Sequence, residues 1–173
     1  MSTKPRISSA IEGQGTEFVS VLAHSPHLAE RFFDLYGEFW QNGVVDQRTK
    51  EITRIRNARV TDCGFCKRVR FDGARGEGLD EDEVNGIEDG FETRFDDRET
   101  AALELTDAII GDPRRLSAAT KEKLREHFSD EQIAELGIGV GLFIGLAKVL
   151  ITLGLEPEDM PVTVVPTPGA AAG

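Results

Sequence analysis

The chain has 173 residues and a formal net charge of −11. That length can bury the core of one compact domain, and so acidic a chain argues against nucleic acid or an anionic membrane surface as a partner. The polar first residues, 1–15, contain no apolar stretch of the kind a secretory signal requires, so we expect a cytoplasmic protein.

Helix start signals dominate the chain. Ser25 followed by Pro26 combines a capping side chain with proline at the first helical position, and the helix that follows carries an apolar stripe as far as Gly43. Asp46 can cap the next helix, which runs through Glu51. Further helix starts share an oxygen-bearing cap and are predicted at Asp80, Asp96, Ser117 and Ser129. We therefore expect an all-α fold, a compact bundle of about six to eight helices.

The last helix is predicted from its apolar character. Residues 136–155 are long enough to cross a bilayer, but Lys148 interrupts them and an acidic amphipathic start precedes them. Gly137, Gly141 and Gly145 recur on one face, and small residues at that spacing let another helix approach closely. We interpret this segment as a central helix, buried on nearly all sides by its own domain or by other subunits, with a membrane span as the alternative.

Three segments divide the chain. Residues 1–14 are expected to be a flexible N-terminus, and residues 15–155 a single helical domain. Residues 156–173 hold four of the seven prolines. We expect them to form an extended or disordered C-terminal arm.

The only two cysteines, Cys63 and Cys66, stand three residues apart. At helical spacing they share one face, where the sulfurs can form and break a disulfide. A redox pair is the favoured interpretation, and two buried structural cysteines are the alternative. A zinc site would need His24 and His27, which lie upstream and outside the usual ligand spacing, so we expect no metal.

The surroundings of the pair favour a thiolate. Asp62 can cap a helix whose first turn would hold both cysteines, close to the positive end of the helix dipole. Lys67, Arg68 and Arg70 add positive charge nearby. Glu51, twelve residues before Cys63, is the candidate proton acceptor. The alternative for Glu51 is a surface carboxylate paired with Arg54.

A longer pattern connects these residues. Eleven residues separate Glu51 from Cys63, the pair reads CGFC, and the run ARGEGL follows at residues 74–79. This pattern resembles the carboxymuconolactone decarboxylase superfamily, and within it the alkylhydroperoxidase D-like branch, over roughly residues 15–155.

The resemblance implies an all-α fold that assembles into trimers, hexamers or related rings. It also implies reduction of peroxides or disulfides by the cysteine pair, with protons relayed by a glutamate and a histidine. Glu51, Cys63 and Cys66 match their family positions, but Arg70 occupies the position of the histidine. Arginine cannot act as a base, so Arg70 would stabilise a thiolate or pair with Glu51, or else mark a subgroup without peroxidase activity.

We therefore expect a thiol-dependent peroxidase or disulfide oxidoreductase with Glu51, Cys63, Cys66 and Arg70 as candidate catalytic residues. It would act on a peroxide or a disulfide, need an external dithiol electron donor, use no cofactor and form a homo-oligomer. Which cysteine attacks first stays open. The alternatives are decarboxylation of a small organic acid without thiol chemistry, and a non-catalytic oligomeric scaffold.

Overall fold

The computed structural model describes residues 5–15 and 17–170, and over these it contains eight α-helices and two short strands. The predicted all-α bundle is confirmed. Residues 1–4 of the expected flexible N-terminus and residues 171–173 of the expected arm lie outside the described residues. The helices are α1 (Phe18–Leu22), α2 (Pro26–Gln41), α3 (Gln47–Val60), α4 (Asp72–Gly76), α5 (Glu81–Asn85), α6 (Asp97–Ile110), α7 (Ala118–His127) and α8 (Asp130–Leu153). The strands are β1 (Val69–Phe71) and β2 (Thr163–Val165).

Most of the predicted caps form. The side chain of Asp46 accepts a hydrogen bond from the Thr49 N–H at 2.8 Å. Ser25 is one exception, since its side chain makes no cap hydrogen bond and α2 begins on Pro26 alone, and Asp62 is another, since no helix follows it. The caps confirmed by a side-chain hydrogen bond to the first turn are Asp46, Asp80, Asp96, Ser117 and Ser129.

Helix α3 is the central element of the bundle. Every residue from 49 to 58 is buried, and α6, α8 and α4 pack around the helix. Several of these buried residues are charged, and burial of a charge is tolerated only where it is paired. Lys50 pairs with Glu135 at 2.9 Å, and Arg56 pairs with Asp107 at 2.7 Å. Partners from other helices thus allow a polar segment to occupy the core.

Helix α8 is not the central helix that the sequence predicted. Only 33% of its most apolar 18-residue window is buried in the protein body, and Ile138 remains 58% exposed. A Cβ atom added at Gly137, Gly141 or Gly145 would meet nothing within 4 Å. The expectation that its own domain buries this helix is therefore wrong, and burial by other subunits stays a prediction. Among the described residues α8 alone is long and apolar enough to span a membrane.

The segment after α8 runs beside β1, the strand that follows the two cysteines. Strand β2 pairs in parallel with β1, so that Val69 faces Thr163 in the register. Beyond the strand, Thr167 donates from its backbone N–H to Asp72 at 2.8 Å and accepts from the Gly73 N–H at 2.9 Å. Residues 156–170 therefore lie along the bundle as an extended segment that contacts β1 and the start of α4.

Candidate active site

The cysteine pair lies in a turn between α3 and β1. The sequence predicted a helix that Asp62 would cap, but Asp62 has a φ of 56°, in the left-handed region. That backbone geometry ends the helical path of α3, and the chain turns back through a hydrogen bond from the Lys67 N–H to the Cys63 carbonyl at 3.0 Å. The prediction of a cysteine-bearing helix is therefore wrong, because the chain must reverse here to enter β1.

Cys63 and Cys66 are joined as a disulfide, with their Cα atoms 5.3 Å apart. Cys63 is 0% exposed and Cys66 is 9% exposed. The backbone N–H of Cys66 donates to the sulfur of Cys63 at 3.2 Å. Both cysteines belong to an apolar cluster with Ala147, Leu150 and Leu155. The pair is thus shielded from bulk water, with Cys66 the more accessible of the two sulfurs.

Glu51 is held by Arg54 through two hydrogen bonds, Nε to Oε2 and Nη2 to Oε1, each of 2.7 Å. The sequence offered this pairing only for a surface carboxylate, whereas Glu51 is 1% exposed and also accepts from the Phe71 N–H at 3.2 Å. Burial opposes the charge on Arg54, but the carboxylate of Glu51 outweighs it and raises the pKa of Arg54. The two side chains therefore form a buried ion pair.

Arg54 connects this ion pair to the cysteine turn. Its Nη1 donates to the carbonyl of Cys66 at 2.9 Å, and its Nη2 donates to the carbonyl of Val69 at 2.6 Å. Sequence reasoning treated Arg54 only as a partner of Glu51. Arg54 and Cys66 are twelve residues apart in the chain, and they meet because α3 and the turn pack side by side.

Arg70 faces away from Glu51. Its guanidinium bonds to Glu81 through two contacts of 3.2 Å, and its Nη1 donates to the carbonyl of Lys67 at 2.8 Å. Arg75 shares the same carboxylate at 2.6 Å. The suggested pairing of Arg70 with Glu51 is therefore not formed, and a role of Arg70 in stabilising a thiolate stays a prediction.

A cavity of about 170 Å³ lies beside the turn, and of the two cysteines Cys66 lines it. Tyr36, Arg54 and Asn57 bring polar groups to the wall. Burial raises the pKa of Tyr36 to about 12. The Oδ1 atom of Asn57 is buried and accepts no hydrogen bond among the described residues. The rest of the wall is mostly aromatic and includes Phe18, Phe32, Phe33, Phe65, Phe71 and Phe143.

Tyr36 and Asn57 were missed by the sequence analysis. The apolar stripe of α2 was interpreted as core packing, and Asn57 follows no motif. Only the tertiary structure shows that both line a space beside Cys66. His24, weighed above as a zinc ligand, instead donates to the carbonyl of Ser8 at 2.8 Å. Within residues 5–15 and 17–170 no cluster of three His, Cys, Asp or Glu side chains could hold a metal ion.

Two solved structures share this fold. The first is protein ATU0492 of Agrobacterium tumefaciens, of unknown function and associated in name with antioxidant defence and AhpD. It has a TM-score of 0.68 at 21% identity, over 90% of this chain and 100% of that one. The second is an alkylhydroperoxidase AhpD core, an uncharacterised peroxidase-related protein of Ralstonia eutropha JMP134. It has a TM-score of 0.68 at 20% identity, over 81% of this chain and 75% of that one. These similarities show the fold.

Relatives detected by sequence are themselves uncharacterised. Rv2313c of Mycobacterium tuberculosis strain H37Rv is 28% identical over 163 residues, which is 88% of this chain and 57% of the relative. YdfG of Bacillus subtilis strain 168 is 25% identical over 119 residues, which is 68% of this chain and 81% of the relative. The chain thus spans little more than half of the length of the mycobacterial protein.

The match to a family falls on the region that carries the site. Residues 26–108, which include Glu51 and both cysteines, match the model of the carboxymuconolactone decarboxylase family. With the shared fold, this match supports the resemblance found from the sequence: residues 26–108 are similar to the carboxymuconolactone decarboxylase family, and the chain has the fold of the two AhpD-like structures.

Proposed function

We propose that this chain is a thiol-dependent peroxidase that reduces an organic hydroperoxide with Cys66 and Cys63. The observation that carries the proposal is the position of Cys66 on the wall of an aromatic cavity of about 170 Å³. A space of this size and lining suits a small ligand with an apolar body. We assign Cys66 as the attacking cysteine, because the reacting sulfur must contact the substrate and, of the two cysteines, Cys66 lines the cavity.

Each chemical step uses groups already placed at the turn. The thiolate of Cys66 attacks one oxygen of the hydroperoxide, the O–O bond breaks, and an alcohol leaves after it is protonated. Cys66 is then a sulfenic acid. The thiol of Cys63 attacks that sulfur, water leaves, and the disulfide forms. An external dithiol donor then reduces the disulfide and is itself oxidised to a disulfide.

The polar groups of the cavity favour a hydroperoxide over a disulfide substrate. Asn57 presents a buried acceptor without a donor, and a buried polar atom of this kind is stabilised by a ligand that brings an O–H. A hydroperoxide has such an O–H, whereas a dialkyl disulfide has none. The hydroxyl of Tyr36 is protonated at neutral pH, as in any tyrosine, and burial raises its pKa further, to about 12, so it can donate to an oxygen of the ligand.

The test compares turnover of cumene hydroperoxide and of a small linear disulfide, with dithiothreitol as the donor. We expect the hydroperoxide to be the better substrate, Cys66→Ser to abolish turnover, and Cys63→Ser to leave a sulfenic acid on Cys66 that a dimedone probe traps. Asn57→Leu should raise KM for the hydroperoxide by about tenfold, as expected for loss of one buried hydrogen bond. Unchanged turnover in Cys66→Ser would refute the proposal, and decarboxylation of a lactone acid by a variant without cysteines would favour the alternative enzyme.

We also propose that the chain assembles into a homo-oligomer, a trimer or hexamer, through α8. The uncovered glycines Gly141 and Gly145 lie beside the partly exposed Leu142 and Leu146, so a second helix could approach closely without leaving a gap. Apolar surface exposed to this extent is stabilised by contact with a partner.

The external dithiol electron donor is part of the proposed peroxidase function, because the disulfide must be reduced before another turnover.

A further inference from the structure

A carboxylate from outside the family-matched region lies on the cysteine turn. Glu156 accepts a hydrogen bond from the backbone N–H of Gly64, the residue that follows Cys63. A Cβ atom added at Gly64 would lie 3.2 Å from Oε1 of Glu156, so the carboxylate covers the turn at this point. Among the described residues no cation forms an ion pair with Glu156.

The end of α8 aims this carboxylate. Gly154 ends the helix with a φ of 67°, a left-handed conformation that glycine adopts without the steric cost of a Cβ. The next residue, Leu155, donates from its N–H to the carbonyl of Leu150 at 2.9 Å and inserts into the apolar cluster that contains both cysteines. With Leu155 fixed there, Glu156 falls directly over Gly64.

Most other charges around the turn are paired, but Arg68 forms no ion pair among the described residues and donates to the carbonyl of Met160 at 2.9 Å. Lys67 pairs with Asp62 on the turn itself. On α3, Arg54 pairs with Glu51, and Arg70 on β1 pairs with Glu81 of α5. Glu156 therefore adds a negative charge that has no ion-pair partner among the described residues, on the residue that follows the fully buried Cys63. A negative charge close to a buried thiol disfavours the thiolate.

We propose that Glu156 is a positioning residue that keeps Cys63 protonated in the reduced protein, so that Cys66 is the cysteine that ionises and attacks. This inference rests on the proposed thiol chemistry and assigns different roles to its two sulfurs. The backbone N–H that donates to the sulfur of Cys63 is that of Cys66, which favours a thiolate there, and the charge of Glu156 opposes this effect. By destabilising the thiolate form of the reduced cysteines, Glu156 also shifts the thiol–disulfide exchange equilibrium with a dithiol donor towards the protein disulfide.

The test titrates each thiol separately. Cys66→Ser isolates Cys63, Cys63→Ser isolates Cys66, and thiolate absorbance in the ultraviolet is followed against pH in each, with and without Glu156→Gln. Glutamine keeps an acceptor for the Gly64 N–H but removes the charge. We expect Glu156→Gln to lower the pKa of Cys63 by about one unit and that of Cys66 by less. The exposed Asp159→Asn on the same arm is the matched control and should change neither.

A second readout is the exchange equilibrium with glutathione in the protein with both cysteines. Once the thiol pKa falls towards the working pH, Glu156→Gln should shift this equilibrium several-fold towards the reduced pair. A Cys63 pKa that is the same in Glu156→Gln as in the parent, or a larger shift at Cys66, would overturn the inference. Neither readout requires peroxide, so a protein that fails to turn over hydroperoxide refutes the proposed function and leaves this titration to decide the role of Glu156.

Discussion

Replacing Glu51 with glutamine should destabilise the protein strongly. The substitution keeps the size of the side chain but leaves the guanidinium of Arg54, which is 5% exposed, without its counter-charge in the core. Breaking a buried ion pair by removing one partner costs about 3–5 kcal/mol. For a chain of this length, 3 kcal/mol corresponds to a fall in Tm of roughly 6–12 °C. Urea unfolding of the oxidised protein, followed by the fluorescence of the buried Trp40, measures the loss directly.

Two further variants separate charge burial from other effects. Asp34→Asn makes the same chemical change in the exposed i,i+3 ion pair of Asp34 with Arg31 on α2, where neither charge is buried, and should cost less than about 1 kcal/mol. The double variant Glu51→Gln/Arg54→Met removes both charges, and we expect it to recover part of the stability that Glu51→Gln loses. A Glu51→Gln variant as stable as Asp34→Asn would refute the reasoning, because it would mean that the Glu51–Arg54 pair is not desolvated.

Three other predictions follow from the packing. Tyr36 is the only tyrosine, so its ultraviolet absorbance should titrate near pH 12 rather than 10. Its raised pKa contributes stability that is present below about pH 10 and is lost as the pH rises towards 12; titration near 10 in the folded protein would contradict the burial argument. Gly139→Ala should lower stability, because its Cβ would lie 2.5 Å from the ring of Phe39. By contrast, Gly141→Leu meets open space within the subunit and should instead weaken self-association in analytical ultracentrifugation, whereas an unchanged sedimentation profile would contradict the assembly proposed through α8.

Local signals in the sequence were sufficient for most helix starts, although not for the helix predicted after Asp62. Asp46 and Ser129 begin helices because a capping oxygen satisfies N–H groups only a few residues away, so the signal lies within one turn. The pairing of Cys63 with Cys66 is local in the same sense. The sequence pattern around these two cysteines also led to the family that the comparison confirms.

Partners distant in the sequence required the tertiary structure. The polar α3 became the core helix because other helices supply its counter-charges, such as Glu135 for Lys50. The apolar α8 stays partly uncovered because no element among the described residues covers its outer face. Helix periodicity reports which face of a helix is apolar, but it does not report what meets that face.

The site divides in the same way. For the candidate site, the sequence alone identified the two cysteines, Glu51, and the arginine, Arg70, that stands at the position of the family histidine. Only the tertiary structure turned Arg70 towards Glu81, brought Arg54 to the carbonyl of Cys66, and laid Glu156 on the turn from 92 residues away. Hydrogen bonds over such separations depend on how whole elements pack, and no local pattern in the chain encodes them.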